Sequence, residues 1–492
     1  MIIAAVTRPV LLVTLAFSLS FTGCVAKIQR LPAHTQKPSP VFAPLVDHST
    51  LVGVAVSGGG SRAATFASGA LEALASYQVK QGEQTLSLLQ TVTHMSSVSG
   101  GSLATAYYAM KKPGKTVPVL QGSSLSPAYK TFFADFQRDM QMNFQRRALA
   151  RQFLFFRALN PTKSAYSFAE VWDSHFFDDL TFAALYEREQ RGDAPRVIFN
   201  GTIYNTGRRL ALTTLAPEDF RYNFVEQLQE SFTQRGVVMS RTGQQEFDRS
   251  IGAAKQQFMP QTFEEIGVDH RTLPISVAVS TSASFPPVVG PVTYRADEDG
   301  RYTHVGDGGL FDNLGTESLM TLFLSKIPSD RHSTKRGLIV VIDSSFPFAA
   351  GEQELNSNKK GFQVFRKDPA RIVGIMEARA NAYQTMLWQS LRSADALLPD
   401  YEHLRIVVLR HIDAEWKRGY QDLPGACRDE FAPSVTPQEI RDAVSRIPTQ
   451  FKIESDCDGA LLIAAAHQVV EQQRELLDRF FLRRTPIGPT VP

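Results

Sequence analysis

The chain has 492 residues, 43% of them hydrophobic, enough to bury one large α/β domain with additions or two to three domains. Charge is nearly balanced, 52 basic against 49 acidic residues, which excludes the strong basic excess of a nucleic-acid binder. Three cysteines, Cys24, Cys427 and Cys457, match no zinc spacing, so no structural metal is expected.

At the start, Arg8 precedes an apolar run, Pro9 to Phe21, that is too short to span a bilayer and reads as an export signal over residues 1–23. Phe21-Thr22-Gly23-Cys24 resembles the lipobox of bacterial lipoproteins, with Phe21 where leucine is usual. The resemblance implies cleavage before Cys24, its acylation, and a membrane anchor in the cell envelope. Val25, in place of an aspartate, points to the outer membrane. Residues 24–47 carry four prolines and few large apolar groups and read as an extended tether.

The main core domain is expected over residues 48–414. Leu51 to Ser57 is a short apolar run, the pattern of a buried parallel strand. Gly58-Gly59-Gly60-Ser61-Arg62 follows, and then Ala63 to Tyr77 reads as a helix rich in small residues. Thr91 to Leu103 (TVTHMSSVSGGSL) has the layout of a second strand, a sharp turn and a helix start. Ser99 stands between Val98 and Gly100-Gly101, as in a nucleophile elbow, where a tight turn exposes a serine beside helix N-terminal N–H groups. Ser97 replaces the first glycine of G-x-S-x-G. The alternative is a Ser99 that merely caps the helix.

Residues 113–193 are the least regular part. Tyr129 to Asn160 mixes aromatic and basic residues, as in Arg146-Arg147 and Arg151 to Arg157. Such a segment reads either as a lipid-contacting cap or as ordinary helices with a buried phenylalanine face. Val197 to Phe199 and Arg209 to Thr214 look like strands joined around Asn200-Gly201 and Asn205-Thr206-Gly207. Further apolar strands are expected at Pro274 to Ser280, Leu338 to Asp343 and Leu404 to Leu409, and another ends at Asp307-Gly308-Gly309. A helix opening at Asp368-Pro369 separates the last two apolar strands.

Residues 415–492 form a helical C-terminal extension, with a capping box at Thr436-Pro437-Gln438-Glu439 and a last helix from Gly459 to Arg483. Cys427 and Cys457 either pair across this region or stay as two buried thiols. Export favours the disulfide, worth roughly 3–4 kcal/mol in the chain-entropy model.

Three loops, each after a strand, carry the chemistry that acyl transfer needs: a nucleophile, a base and donors for an oxyanion. Ser99 is the candidate nucleophile. Asp307, on a crowded glycine loop and strengthened by burial, is the candidate base. The N–H groups of Gly59, Gly60 and Gly100 are the candidate donors.

These motifs resemble those of the patatin-like phospholipase family: Ser57 to Arg62 (SGGGSR), Ser97 to Gly101 (SVSGG) and Asp307 to Gly309 (DGG). Weaker matches lie at Asn200-Gly201-Thr202 with Asn205 to Arg209, and at Ala283 to Pro287. The resemblance implies a three-layer α/β fold with a central, mostly parallel sheet flanked by helices. It also implies a Ser-Asp dyad without histidine that cleaves acyl esters of lipids and needs no cofactor. Ser99 is then the nucleophile and Asp307 the base. Gly58, Gly59 and Gly60 build the oxyanion loop, which Arg62 anchors. The rivals are a Ser-His-Asp esterase using His332, His403, His411 or His467, which all follow Asp307, and a non-catalytic lipid-binding envelope lipoprotein. A nucleotide site at Gly58 is disfavoured, because neither Gly-Lys-Ser/Thr nor G-x-G-x-x-G spacing is present.

Overall fold

The structure, a computed structural model, describes residues 27–33, 50–81, 84–154, 161–222, 236, 240–286, 289–296, 301–327, 335–345, 379–380, 382–383, 386 and 404–482. The expected export signal, Cys24, His332, His403 and most of the Asp368 helix lie outside them.

Among the described residues ten strands form one sheet: β1 (Ile28–Leu31), β2 (Thr50–Val56), β3 (His94–Ser97), β4 (Arg196–Ile203), β5 (Arg209–Thr213), β6 (Gln261–Thr262), β7 (Val292–Ala296), β8 (Tyr302–Asp307), β9 (Arg336–Asp343) and β10 (Leu404–Arg410). Its centre is parallel, in the order β10, β9, β2, β3, β4. The parallel strands are apolar on both faces because both faces are covered. Along β2, Val52, Val54 and Val56 enter one core with Phe66 and Leu71, while Leu51 and Ala55 enter a second with Leu319 and Phe323. The first core is built on helices α1 (Gly60–Ser76), α2 (Gly100–Lys111) and α3 (Pro127–Met140).

Strand β4 is the pivot. One edge pairs antiparallel with β5 from Ile198 to Thr202. The other edge pairs parallel with β3 over Arg196 to Phe199, then antiparallel with β8 over Gly201 to Ile203. β3 and β8 therefore run toward each other along one edge and stop at Ser97 and Asp307. Asn200 alone separates their last paired positions.

The remaining helices among the described residues are α4 (Phe144–Leu154), α5 (Pro161–Trp172), α6 (Phe182–Arg191), α7 (Arg241–Phe258), α8 (Ile275–Ser282), α9 (Thr316–Lys326), α10 (Pro437–Arg446), α11 (Asp456–Gln472) and α12 (Arg474–Leu482), besides short single turns. The Thr436 hydroxyl accepts from Glu439 N–H and the Glu439 carboxylate accepts from Thr436 N–H, completing the capping box of α10.

Four expectations are corrected. Pro274 to Ser280 is not a strand: Ile275–Ser282 is the helix α8, all eight residues buried, and a continuous apolar run does not distinguish a buried helix from a buried strand. Asn200-Gly201 is not a turn but the interior of β4. Glycine is required there because a Cβ on Gly201 would lie 2.7 Å from Val305 Cγ1. The tether does not span all of 24–47, since Ile28–Leu31 pairs in parallel with β7 as an edge strand and buries Leu31. The final helix is two, α11 and α12, parted at Gln473.

The C-terminal region is no appendage, because Trp416, Ile440, Val444 and Leu461 share the first core with α1. A Cβ on Gly69 of α1 would lie 3.0 Å from the Ile463 Cα of α11, so glycine permits this close helix approach. Cys427 and Cys457 form a disulfide in this region, with their Cα atoms 4.7 Å apart. In the 113–193 segment Phe132, Phe133, Phe136 and Phe144 are buried in the same core. No helix among the described residues is long and apolar enough to cross a membrane.

Candidate active site

Strand β3 hands the chain to Val98, whose N–H still bonds the Val56 carbonyl (3.1 Å), and then to Ser99. Ser99 has φ 53° and ψ −124°, a conformation rare for a residue with a side chain. Among the described residues only Asp178 and Asp179 are other non-glycines with positive φ. Such strain costs about 1–3 kcal/mol and persists only where surroundings fix it. Here the Ser99 N–H donates to both the carbonyl and the hydroxyl oxygen of Ser282, each at 3.1 Å. A Cβ on Gly101 would lie 2.5 Å from the Ser57 carbonyl oxygen, so the turn needs its glycine there. Ser97 is accommodated where the motif usually has glycine. Its hydroxyl accepts from the Ser102 hydroxyl (3.2 Å), and Gly315, lacking a side chain, faces its backbone.

The glycine loop lies directly against this elbow. A Cβ on Gly100 would sit 2.0 Å from the Gly60 carbonyl oxygen, so α1 and α2 begin side by side. Gly59 (φ 143°) and Gly60 (φ 62°) take positive φ angles that only glycine adopts readily. The N–H groups of Gly59, Gly60 and Gly100 have no acceptor among the described residues. The Gly58 N–H, by contrast, donates to the Asn313 carbonyl at 2.9 Å, so Gly58 shapes the loop and leaves donation to its neighbours. Arg62 is fully buried; its Nε donates to the Ser344 carbonyl (2.9 Å) and its Nη1 to the Ile447 carbonyl (2.8 Å). The Ser61 N–H donates to the Gln450 carbonyl at 2.7 Å. The start of α1 is thus held from the end of β9 and from the segment bridged by the disulfide.

Asp307 closes the site from the end of β8 and is 1% exposed. Its Oδ1 accepts from the Gly309 N–H at 2.7 Å, and its Oδ2 has no hydrogen-bond partner among the described residues. Burial pushes its pKa up to about 7, against the opposing pull of the Gly309 N–H and the Ser99 hydroxyl. The hydroxyl is close enough to act on the carboxyl, yet no bond of regular geometry joins them, a looseness common before substrate tightens a site. Glycine is again required beside it: a Cβ on Gly308 would lie 2.4 Å from the Asn200 carbonyl oxygen.

Asn200 fills the junction of β3, β4 and β8. Its Nδ2 donates to the Ser96 hydroxyl (2.8 Å) and the Ser97 carbonyl (2.9 Å). Its Oδ1 accepts from the Ser318 hydroxyl (2.6 Å), and its carbonyl accepts from the Ser282 hydroxyl (2.6 Å). Ser318 is bonded in turn by the buried Arg209 (2.8 Å). Asn200 was visible as part of a weaker family match, and Ser102, Ser282, Asn313 and Ser318 carried no sequence signal.

No histidine bonds Ser99 or Asp307 among the described residues. His411 is buried against Phe66, its Nδ1 faces the Asp343 carbonyl (3.3 Å), and burial beside Arg62 holds its pKa down at about 3. His467 lies near the surface against Glu72 (2.9 Å). His94 and His304 pair with the hydroxyls of Thr93 and Thr293. Among the described residues no group of three or more His, Cys, Asp or Glu could hold a metal ion.

The arrangement therefore offers a strained serine, a carboxyl with a near-neutral pKa and three free N–H groups in one place. A model of the family described as patatin-like phospholipase matches residues 54–320, more than half the chain, and contains all of these groups. The chain belongs to the patatin-like phospholipase family. No curated protein matches it. Among solved structures it is similar to human GIVD cytosolic phospholipase A2, at 13% identity and a TM-score of 0.41, over 88% of this chain and 60% of that one. The same human protein in complex with methyl gamma-linolenyl fluorophosphonate is matched at 14% identity and a TM-score of 0.40, over 89% and 59%. VipD from Legionella pneumophila is matched at 11% identity and a TM-score of 0.27, over 91% and 71%. The chain thus spans about 60% of the length of the human enzyme, and the family assignment rests on the family model.

Proposed function

We propose that this protein is a serine acyl-hydrolase that cleaves carboxylic ester bonds of lipids, in the manner of a phospholipase A or lysophospholipase, through the dyad Ser99 and Asp307. The observation that carries the reading is the buried Asp307 carboxyl, with a pKa near 7, facing the hydroxyl of a strained Ser99. A base with a pKa near the working pH can both accept and return a proton. Asp307 takes the Ser99 proton as Oγ attacks the acyl carbonyl. The oxyanion that forms is held by the N–H groups of Gly59, Gly60 and Gly100, each worth on the order of 3 kcal/mol. Collapse breaks the ester bond, and Asp307 passes its proton to the departing alcohol. Water, deprotonated by Asp307, then attacks the acyl-enzyme carbonyl; the ester bond to Ser99 breaks, Asp307 returns the proton to Ser99 Oγ, and the acyl group leaves as a fatty acid.

The same reading includes export, acylation of Cys24 and anchoring at the bacterial cell envelope, on the outer membrane. It is supported by the N-terminal residues Arg8 to Val25 alone. A fluorophosphonate probe tests the hydrolase reading. The purified protein is expected to be labelled at Ser99 and to release fatty acid from phospholipid or lysophospholipid, whereas Ser99→Ala does neither. A folded protein that resists the probe and cleaves no ester would instead be a lipid-binding lipoprotein.

A further inference from the structure

Helix α4 (Phe144–Leu154) has two unlike faces. Phe144 and Ala148 are buried, whereas Leu149 and Phe153 are 48% and 65% exposed. Leu149 and Phe153 are four residues apart and so lie on one stripe of the helix, with Arg146 and Ala150 beside them. Arg146 and Arg147 are exposed, and they line a surface hollow of about 420 Å³ with Met142, Asn143 and Ala150. No carboxylate pairs with Arg146 among the described residues. Arg147 is bonded by the His175 ring, not by an acid, and the Arg151 guanidinium lies 3.6 Å from Glu170 toward α5. The outer face is thus apolar and cationic, the composition that suits the boundary between anionic headgroups and acyl chains.

The helix also has a defined place. The Gln145 N–H donates to the Phe451 carbonyl (2.9 Å), and the preceding carbonyl, Gln450, holds the Ser61 N–H at the start of the glycine loop (2.7 Å). The beginning of α4 is therefore tied to the candidate oxyanion loop through one dipeptide. Phe153 stands about 12 Å further along the helix axis, at 1.5 Å per residue.

We propose that the outer face of α4 docks on an anionic lipid bilayer, with Leu149 and Phe153 inserted among the acyl chains and Arg146 and Arg147 on the headgroup phosphates. The docking delivers lipid to the Ser99 site, so in that respect it rests on the hydrolase reading. The binding itself does not. The experiment uses full-length chain carrying Cys24→Ser, so that no acyl group on Cys24 contributes. Its binding to phosphatidylcholine vesicles, with and without 30 mol% phosphatidylglycerol, is measured by sedimentation for this protein, for added Leu149→Ser/Phe153→Ser and for added Arg146→Gln. The double serine variant should bind on the order of a hundredfold more weakly to both kinds of vesicle. Arg146→Gln should bind about fivefold more weakly, only where phosphatidylglycerol is present. With a short, water-soluble ester the variants should hydrolyse as the parent does, while hydrolysis of vesicle lipid falls with binding. Ser99→Ala should bind vesicles undiminished, which separates docking from catalysis. Equal binding by parent and double variant would overturn the proposal. So would a parent dimer in light scattering that the double variant reduces to monomer, which would make α4 an interface between two copies.

Discussion

At the scale of the residue, the Asp307 carboxyl is held where water would not have it. Burial raises Asp307 from 3.8 to about 7, so the folded protein holds this proton more tightly than the unfolded chain does. Its contribution to stability is therefore fully present below about pH 4 and is lost as pH rises through 7. Asp307→Asn keeps the shape and removes the ionisation. It is expected to match the wild type in thermal unfolding near pH 4 and to exceed it progressively toward pH 8. The limit is about 4 kcal/mol, from a shift of roughly three units. The same variant should lose hydrolysis on the order of 10⁴-fold. A variant no more stable than the wild type at pH 8 would show that the carboxyl is not strained by burial.

At the scale of the element, the site exists because one strand has two partners on one edge. β4 guides β3 and β8 to opposite sides of Asn200, and the loops that leave them bring Ser99 and Asp307 together. Asn200→Ala leaves the Ser97 carbonyl and the Ser96 and Ser318 hydroxyls short of a partner, at about 1–3 kcal/mol for each buried orphan. It should lower both the melting temperature and kcat on a soluble ester, the latter about 10- to 100-fold, with KM little changed. Unchanged kcat would mean that the junction does not set the dyad's geometry. The parallel strands were readable because their apolar runs are covered on both faces, and the elbow because glycines crowd a serine after a β-branched run. The helix at Ile275–Ser282 was not, since a run buried all round has no period to read. Nor did any local pattern show that Asn200-Gly201 lies inside a strand: its neighbours there, Asp307 and Ser97, are far away in sequence. The roles of Asn313 and Ser282 depend on tertiary bonds and left no trace in spacing.

At the scale of the whole molecule, the C-terminal helices hold the candidate oxyanion loop in place. The disulfide bridges two cysteines 30 residues apart, and the segment between them includes Ile447 and Gln450, whose carbonyls hold Arg62 and Ser61. Cys427→Ser/Cys457→Ser is expected to cost roughly 2–4 kcal/mol in stability and to shorten the half-life of esterase activity on warming. Wild-type protein in reductant should behave likewise, and a melting temperature indifferent to both would separate the C-terminal region from the site. The central claim, that a carboxyl without histidine activates Ser99, is tested most directly by the rate at which a fluorophosphonate labels Ser99 as a function of pH. The rate is expected to rise through a single inflection near pH 7, to be nearly abolished in Asp307→Asn, and to keep its inflection in His411→Ala. An inflection that survives in Asp307→Asn, or that disappears with a histidine, would contradict it.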